Sequence, residues 1–176
     1  MDSARKNHFE IFSIDPVFGL DEAALTQAFR RVQSAVHPDR FVNAGPSERR
    51  YAVALAAQVN EAYRTLSDPL RRAAYLCELN GVAVAAEDNT SMPAGFLVEQ
   101  MEWREALDQA LEERDLAAIE AMDTRNRQVR QSLQDQLREL IDVDRDFEGA
   151  AALIRRIMFI DRFALQLQAS RQALAG

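Results

Sequence analysis

The chain has 176 residues, of which 48% are apolar and 28% charged, with a formal net charge of −7; this profile excludes a disordered chain and fits one ordinary domain or two small ones. Ala, Leu, Glu, Gln and Arg dominate and strand-like runs are lacking, which predicts an all-α fold. The single cysteine, Cys77, excludes an intramolecular disulfide; with no leader pattern at the N-terminus and no bilayer-length apolar run, a cytoplasmic location is expected.

In chain order, H-F-E-I-F-S-I-D-P reads as a short apolar turn or helix with Phe9, Phe12 and Ile14 facing inward. A helix capped by Asp21 follows. In it Leu25, Phe29, Val32 and Val36 form one stripe, and Gln27, Arg30, Arg31 and Ser34 fall outside. Pro38 forces His37 out of helical geometry and ends the helix near Val36. After the polar loop R-F-V-N-A-G-P-S, Ser47 is the expected cap of a helix over 48–66. Its inner face carries Ala52, Leu55, Val59, Ala62, Tyr63 and Leu66. Asp68 and Pro69 open a short helix that stops near Asn80-Gly81. Residues 82–92 lack a helical period and read as a linker. Three further helices are expected: Pro93 to about Glu113, from after Asp115 to about Ile141, and Phe147 to about Leu174 with Asp144 or Asp146 as cap. Their short connections demand an antiparallel three-helix bundle.

Charge is uneven: 10 basic and 9 acidic residues up to Tyr75, then 11 and 19 from Leu76 onward. An acidic second half disfavours nucleic acid and anionic membranes as partners and fits a partner with a basic patch. The residues for catalysis are lacking: two histidines and one cysteine, far apart, make no zinc or iron–sulfur cluster site, and no Gly-rich phosphate loop is present. The expectation is a protein that is not an enzyme and carries no metal or other cofactor. Trp103, on the inner stripe of its helix, reads as a core aromatic.

The stretch V-H-P-D-R-F ends a helix that presents Arg30 and Arg31 outward, and a second amphipathic helix returns beside it. N-E-A-Y-R-T-L-S-D-P-L-R-R-A-A-Y, Asn60 to Tyr75, completes the pattern. Over residues 7 to 76 this resembles a J-domain, the module that activates DnaK-class chaperone ATPases. The resemblance implies that His37, Pro38, Asp39, Arg30 and Arg31 bind the chaperone. Phe29 stands where tyrosine is usual, and Ala35 and Val36 where many J-domains have lysine and tyrosine. Leu76 replaces an aspartate. These departures imply a dedicated chaperone rather than a general one. The residues by themselves also fit a surface turn with two ordinary arginines.

The second half carries F-L-V-E-Q-M-E-W-R-E-A-L-D, Phe96 to Asp108, and R-R-I-M-F-I-D-R-F, Arg155 to Phe163. On a helical wheel Phe96, Trp103, Leu107, Ala110 and Leu111 face the bundle, whereas Leu97, Val98 and Met101 lie on the outer face. In the last helix Leu153, Ile157, Ile160, Ala164 and Leu167 form the expected core stripe, with Phe159 nearly opposite. Such an apolar cluster, rimmed by Glu102 and Glu105, reads either as a protein-binding site or as a face packed on the first domain.

With both halves in this order, nearly the whole chain resembles the HscB family, J-type co-chaperones of iron–sulfur cluster assembly. The resemblance implies that Leu97, Val98, Met101, Glu102, Glu105 and Phe159 hold the iron–sulfur scaffold protein. It implies a J-domain helical hairpin at 1–81, a linker at 82–92, and a scaffold-binding three-helix bundle at 93–176. The implied partners are an HscA-like DnaK-class chaperone and an IscU-like scaffold. A J-protein with a different client and a non-chaperone helical adaptor remain as alternatives.

Overall fold

The computed structural model describes residues 6–41, 44–84 and 94–175. Among the described residues every regular element is helical: α1 (His8–Phe12), α2 (Glu22–Val36), a 3₁₀ turn (Pro38–Phe41), α3 (Pro46–Ser67), α4 (Pro69–Leu79), α5 (Ala94–Glu112), α6 (Leu116–Arg138) and α7 (Phe147–Ala175). A wider π-type turn, Glu139–Val143, continues α6. Two compact units result, Met1–Asn80 and Gly81–Gly176. Residues 85–92 of the expected linker lie outside the described residues, as do Pro93, expected to open α5, and Val42-Asn43 of the polar loop. No helix of the described residues is long and apolar enough to cross a membrane.

In the first unit the helix ends follow from local chemistry. The Asn7 side chain accepts from the Glu10 amide at 2.9 Å while the Glu10 carboxylate accepts from the Asn7 amide at 2.8 Å, a reciprocal cap that orders the five-residue α1. Asp21 accepts from the amides of Ala23 and Ala24, as expected of the α2 cap. Asp68 ends α3 and caps α4 through the Arg71 amide at 2.9 Å, with Pro69 at the first helical position. Gly81, at φ +81°, supplies the left-handed turn that closes the unit.

One expectation is corrected at the start of α3. Gly45, not Ser47, precedes α3, because Pro46 has its φ preset for the first turn, and the Glu48 carboxylate accepts from the Gly45 amide at 3.0 Å. On α2 the expected stripe faces inward, with Leu25 buried and Phe29, Val32 and Val36 half-buried, and Ala28 is buried beside it. Ala28 lets the helices approach closely, and Phe29 stacks flat on Tyr63 at 4.1 Å. Arg72, 5% exposed, donates to the Leu66 carbonyl at 2.6 Å and lays its guanidinium over Phe18.

In the second unit α6 and α7 form the main seam. Ile119, Leu133, Leu137 and Ile141 bury against α7, where Ala150, Ala151, Ile154, Ile157, Ile160, Phe163 and Leu167 are buried. Polar groups cross the same seam: Arg130 pairs with Asp161 at 2.5 Å, Arg171 reaches Glu120 and Asp123, and the buried Asn126 donates Nδ2–H to the Ile160 carbonyl at 3.2 Å.

The expected α7 stripe is shifted: Leu153 and Ala164 are half-buried, and Phe163 belongs to the core. Phe159 lies four residues, about one turn, before Phe163. It is therefore half-buried at the margin of the core and does not point away from it. Trp103 is likewise half-buried, 5.3 Å from Phe163. Of the two candidate caps of α7, Asp146 is the one that accepts from the Gly149 amide, at 2.9 Å. A Cβ on Gly149 would press on that carboxylate, so a larger residue there requires the Asp146 side chain to shift.

Candidate functional site

Two surfaces, one in each unit, carry the residues singled out by the sequence. The first is the turn after α2. His37 leaves the helix at φ −59°, ψ 129°, the extended geometry that a following proline imposes. The chain then makes its 3₁₀ turn, closed by the Arg40 amide on the His37 carbonyl at 3.0 Å. The side chains of His37 and Asp39 fold toward each other: Nδ1 lies 3.3 Å from the Asp39 amide and 3.5 Å from Asp39 Oδ2. Neutral, Nδ1 can accept from that amide; protonated, it faces the carboxylate. Their side chains remain 52% and 85% exposed, so a partner can reach both.

Arg30 and Arg31 are exposed on α2, and neither is ion-paired among the described residues. Arg30, Gln33, Ser34, His37 and Arg40 line one open concavity. Arg31 and Asp39 stand outside it. Arg40 was missed by sequence reasoning although it directly follows Asp39. Its guanidinium donates to the Ser34 carbonyl at 3.3 Å, occupying a helix-end acceptor and binding the turn to α2.

The second surface is the start of α5. Leu97, Val98 and Met101 are 40%, 54% and 61% exposed, which among these residues marks a contiguous apolar face and not scattered side chains. Glu102 and Glu105 are exposed beside them. Phe96, by contrast, is buried, its ring edge-on to Phe159 at 5.4 Å, and Phe159 continues the stack toward Phe163. The structure thus brings Leu97, Val98, Met101, Glu102 and Glu105 onto one helix end. It gives Phe159 a different position, as the prop beneath that end.

Sequence reasoning also missed what fastens the prop. Arg156 of α7 donates to Glu99 Oε2 at 3.0 Å and lies over the Phe96 ring at 5.4 Å. The partners are 57 residues apart, so no helical period links them.

No group of three or more His, Cys, Asp or Glu side chains is arranged to hold a metal among the described residues. An apolar, partly open pocket of about 70 Å³ is lined by Trp103, Ala106, Met122, Arg125 and Phe163.

Comparison with known proteins bears on both surfaces. Residues 7–75 match the family model of the DnaJ domain, and residues 92–168 that of the HSCB C-terminal oligomerisation domain. The co-chaperone protein HscB homolog of Burkholderia multivorans is 44% identical over 174 residues, 99% of each chain. Among solved structures, the chaperone HscB from Vibrio cholerae superposes with a TM-score of 0.81 at 35% identity, over 96% of this chain and 99% of that one. Human co-chaperone protein HscB gives a TM-score of 0.85 at 26% identity, over 97% and 84%.

Proposed function

The chain belongs to the HscB family of J-domain co-chaperones, and on that premise we propose that it is a two-site adaptor of iron–sulfur cluster assembly. Residues 1–81 act as the J-domain, 82–92 as a linker and 93–176 as the scaffold-holding domain. The first unit docks on an HscA-like chaperone of the DnaK class and stimulates its ATP hydrolysis. The second holds an IscU-like scaffold protein through Leu97, Val98, Met101, Glu102 and Glu105, with an edge of Phe159. Stimulated hydrolysis closes the chaperone on the scaffold, and the cluster passes to acceptor proteins.

The observation that carries this reading is the contiguous exposed face of Leu97, Val98 and Met101 in the same chain as an exposed His37-Pro38-Asp39 turn. Each site suits its task. The turn presents a histidine and a carboxylate beside the cationic face of α2, which fits an acidic groove and speeds encounter electrostatically. The α5 face offers apolar area with an acidic rim, which fits a partner that has apolar side chains ringed by basic ones. The chain performs no bond-making step. It raises the local concentration of scaffold at the chaperone and biases the chaperone's conformation.

Steady-state ATPase assays test the reading. The chain stimulates an HscA-like chaperone, the stimulation grows when scaffold is added, and His37→Gln removes it while scaffold affinity persists. Absence of stimulation by the wild-type chain refutes the J-domain role. Stimulation indifferent to scaffold points to another client.

A further inference from the structure

Arg156 is an expensive residue for its position. Its Nε–H is buried and makes no hydrogen bond among the described residues, while its Nη2 reaches Glu99 and its guanidinium lies over Phe96. A buried donor without a partner destabilises a fold, and a methionine of similar length would fill the same space without it. The ion pair itself returns little, because the two side chains are 37% and 31% exposed. Stability therefore does not account for the arginine, and the groups it touches offer another role. Phe96 and Glu99 belong to the first turns of α5 and flank Leu97 and Val98, with Met101 two residues on. The aromatic cluster around Phe163 and Leu167 takes α5 only from Trp103 onward. Ahead of Trp103, α5 is fastened to α7 by the Phe96–Phe159 contact and by Arg156. Helix ends open readily unless tied.

We propose that Arg156 is a positioning residue for the scaffold-binding face. By clasping Glu99 and covering Phe96 it holds the first two turns of α5 against α7, so that Leu97, Val98 and Met101 meet the scaffold as one preformed surface. The role rests on the scaffold-binding reading above. It acts through pre-organisation, which lowers the ordering cost of binding without adding a contact.

The test is calorimetric titration of the full chain with a purified IscU-like scaffold protein, alongside thermal unfolding. Arg156→Met raises Kd by roughly fivefold to tenfold with no fall in Tm, since it keeps the stem and removes the unpaired donor. Glu99→Gln, which leaves the core untouched, weakens binding to a similar degree. The charge swap Glu99→Arg with Arg156→Glu regains affinity relative to either reversal alone, and Arg156→Lys falls between wild type and Arg156→Met. Wild-type affinity in Arg156→Met overturns the proposal. So does an effect of Glu99→Gln without one of Arg156→Met, which makes Glu99 a direct contact, and so does a swap no better than its single reversals. If the wild-type chain binds no scaffold, the function proposed above falls first and this role with it; if Leu97→Ala weakens binding and Arg156→Met does not, only this role falls.

Discussion

The two units display their candidate sites by opposite means. In the first, backbone geometry does the placing: a proline-imposed extended residue, a single 3₁₀ turn and an arginine tied to the end of α2 fix where His37 and Asp39 stand. In the second, the backbone is plain helix, and the site is marked only by apolar side chains that their own chain leaves uncovered. A site made of polar groups on a turn sits in water at no cost, and it fails when geometry or charge is lost. A site made of apolar area sits in water at a cost, and it fails when area or rigidity is lost.

The comparison breaks most visibly at the apolar face. Leu97→Ala with Met101→Ala removes exposed area without touching the core. It should lower scaffold affinity by roughly thirtyfold to hundredfold in a titration, with Tm and scaffold-independent ATPase stimulation unchanged. Phe159→Ala is a poorer probe, because that ring props Phe96 and Phe163, and its loss mixes stability with binding. A smaller effect is expected at the charged face. Arg30→Glu with Arg31→Glu should slow association with the chaperone by about tenfold or more at low salt, and the gap should narrow toward ~1 M salt as screening removes the steering. The same salt series should change scaffold binding less, since area dominates there; equal salt slopes at both sites would erase the distinction. The smallest effect concerns the frame. Asp146→Ala removes the cap of α7 and should cost about 1 kcal/mol in denaturant unfolding, with little change in chaperone stimulation.

Legibility in the sequence follows the same division. Most features set by neighbours along the chain could be read: the caps at Asp21 and Asp68, the stop at Gly81, and the departure of His37 ahead of Pro38, the exception being the start of α3, where Pro46 displaces the expected Ser47 cap. Features set across helices could not. Phe159 was misplaced because the α7 wheel was centred on Leu153 and Ala164, and only packing reveals that Phe163 lies in the core. Ala28 was overlooked because a small side chain carries little hydropathic signal, although close helix approach selects it. The outward turn of Leu97, Val98 and Met101 was legible, since it needs only the 3.6-residue period. The clasp of Arg156 on Glu99 joins two helices far apart in sequence and leaves no periodic trace.

The amide of Asn126 bears on something other than affinity. A seam of aliphatic side chains alone can slide by one helical turn, about 5.4 Å, and still bury similar area. With Asn126 inside that seam, a slip separates Nδ2–H from the Ile160 carbonyl and leaves a second unpaired polar group beside an Oδ1 that makes no hydrogen bond among the described residues. Alignment of α6 and α7 is thereby single-valued, like a key cut for one position of the lock. One alignment of the seam gives Arg156 and Phe159 one height along α6.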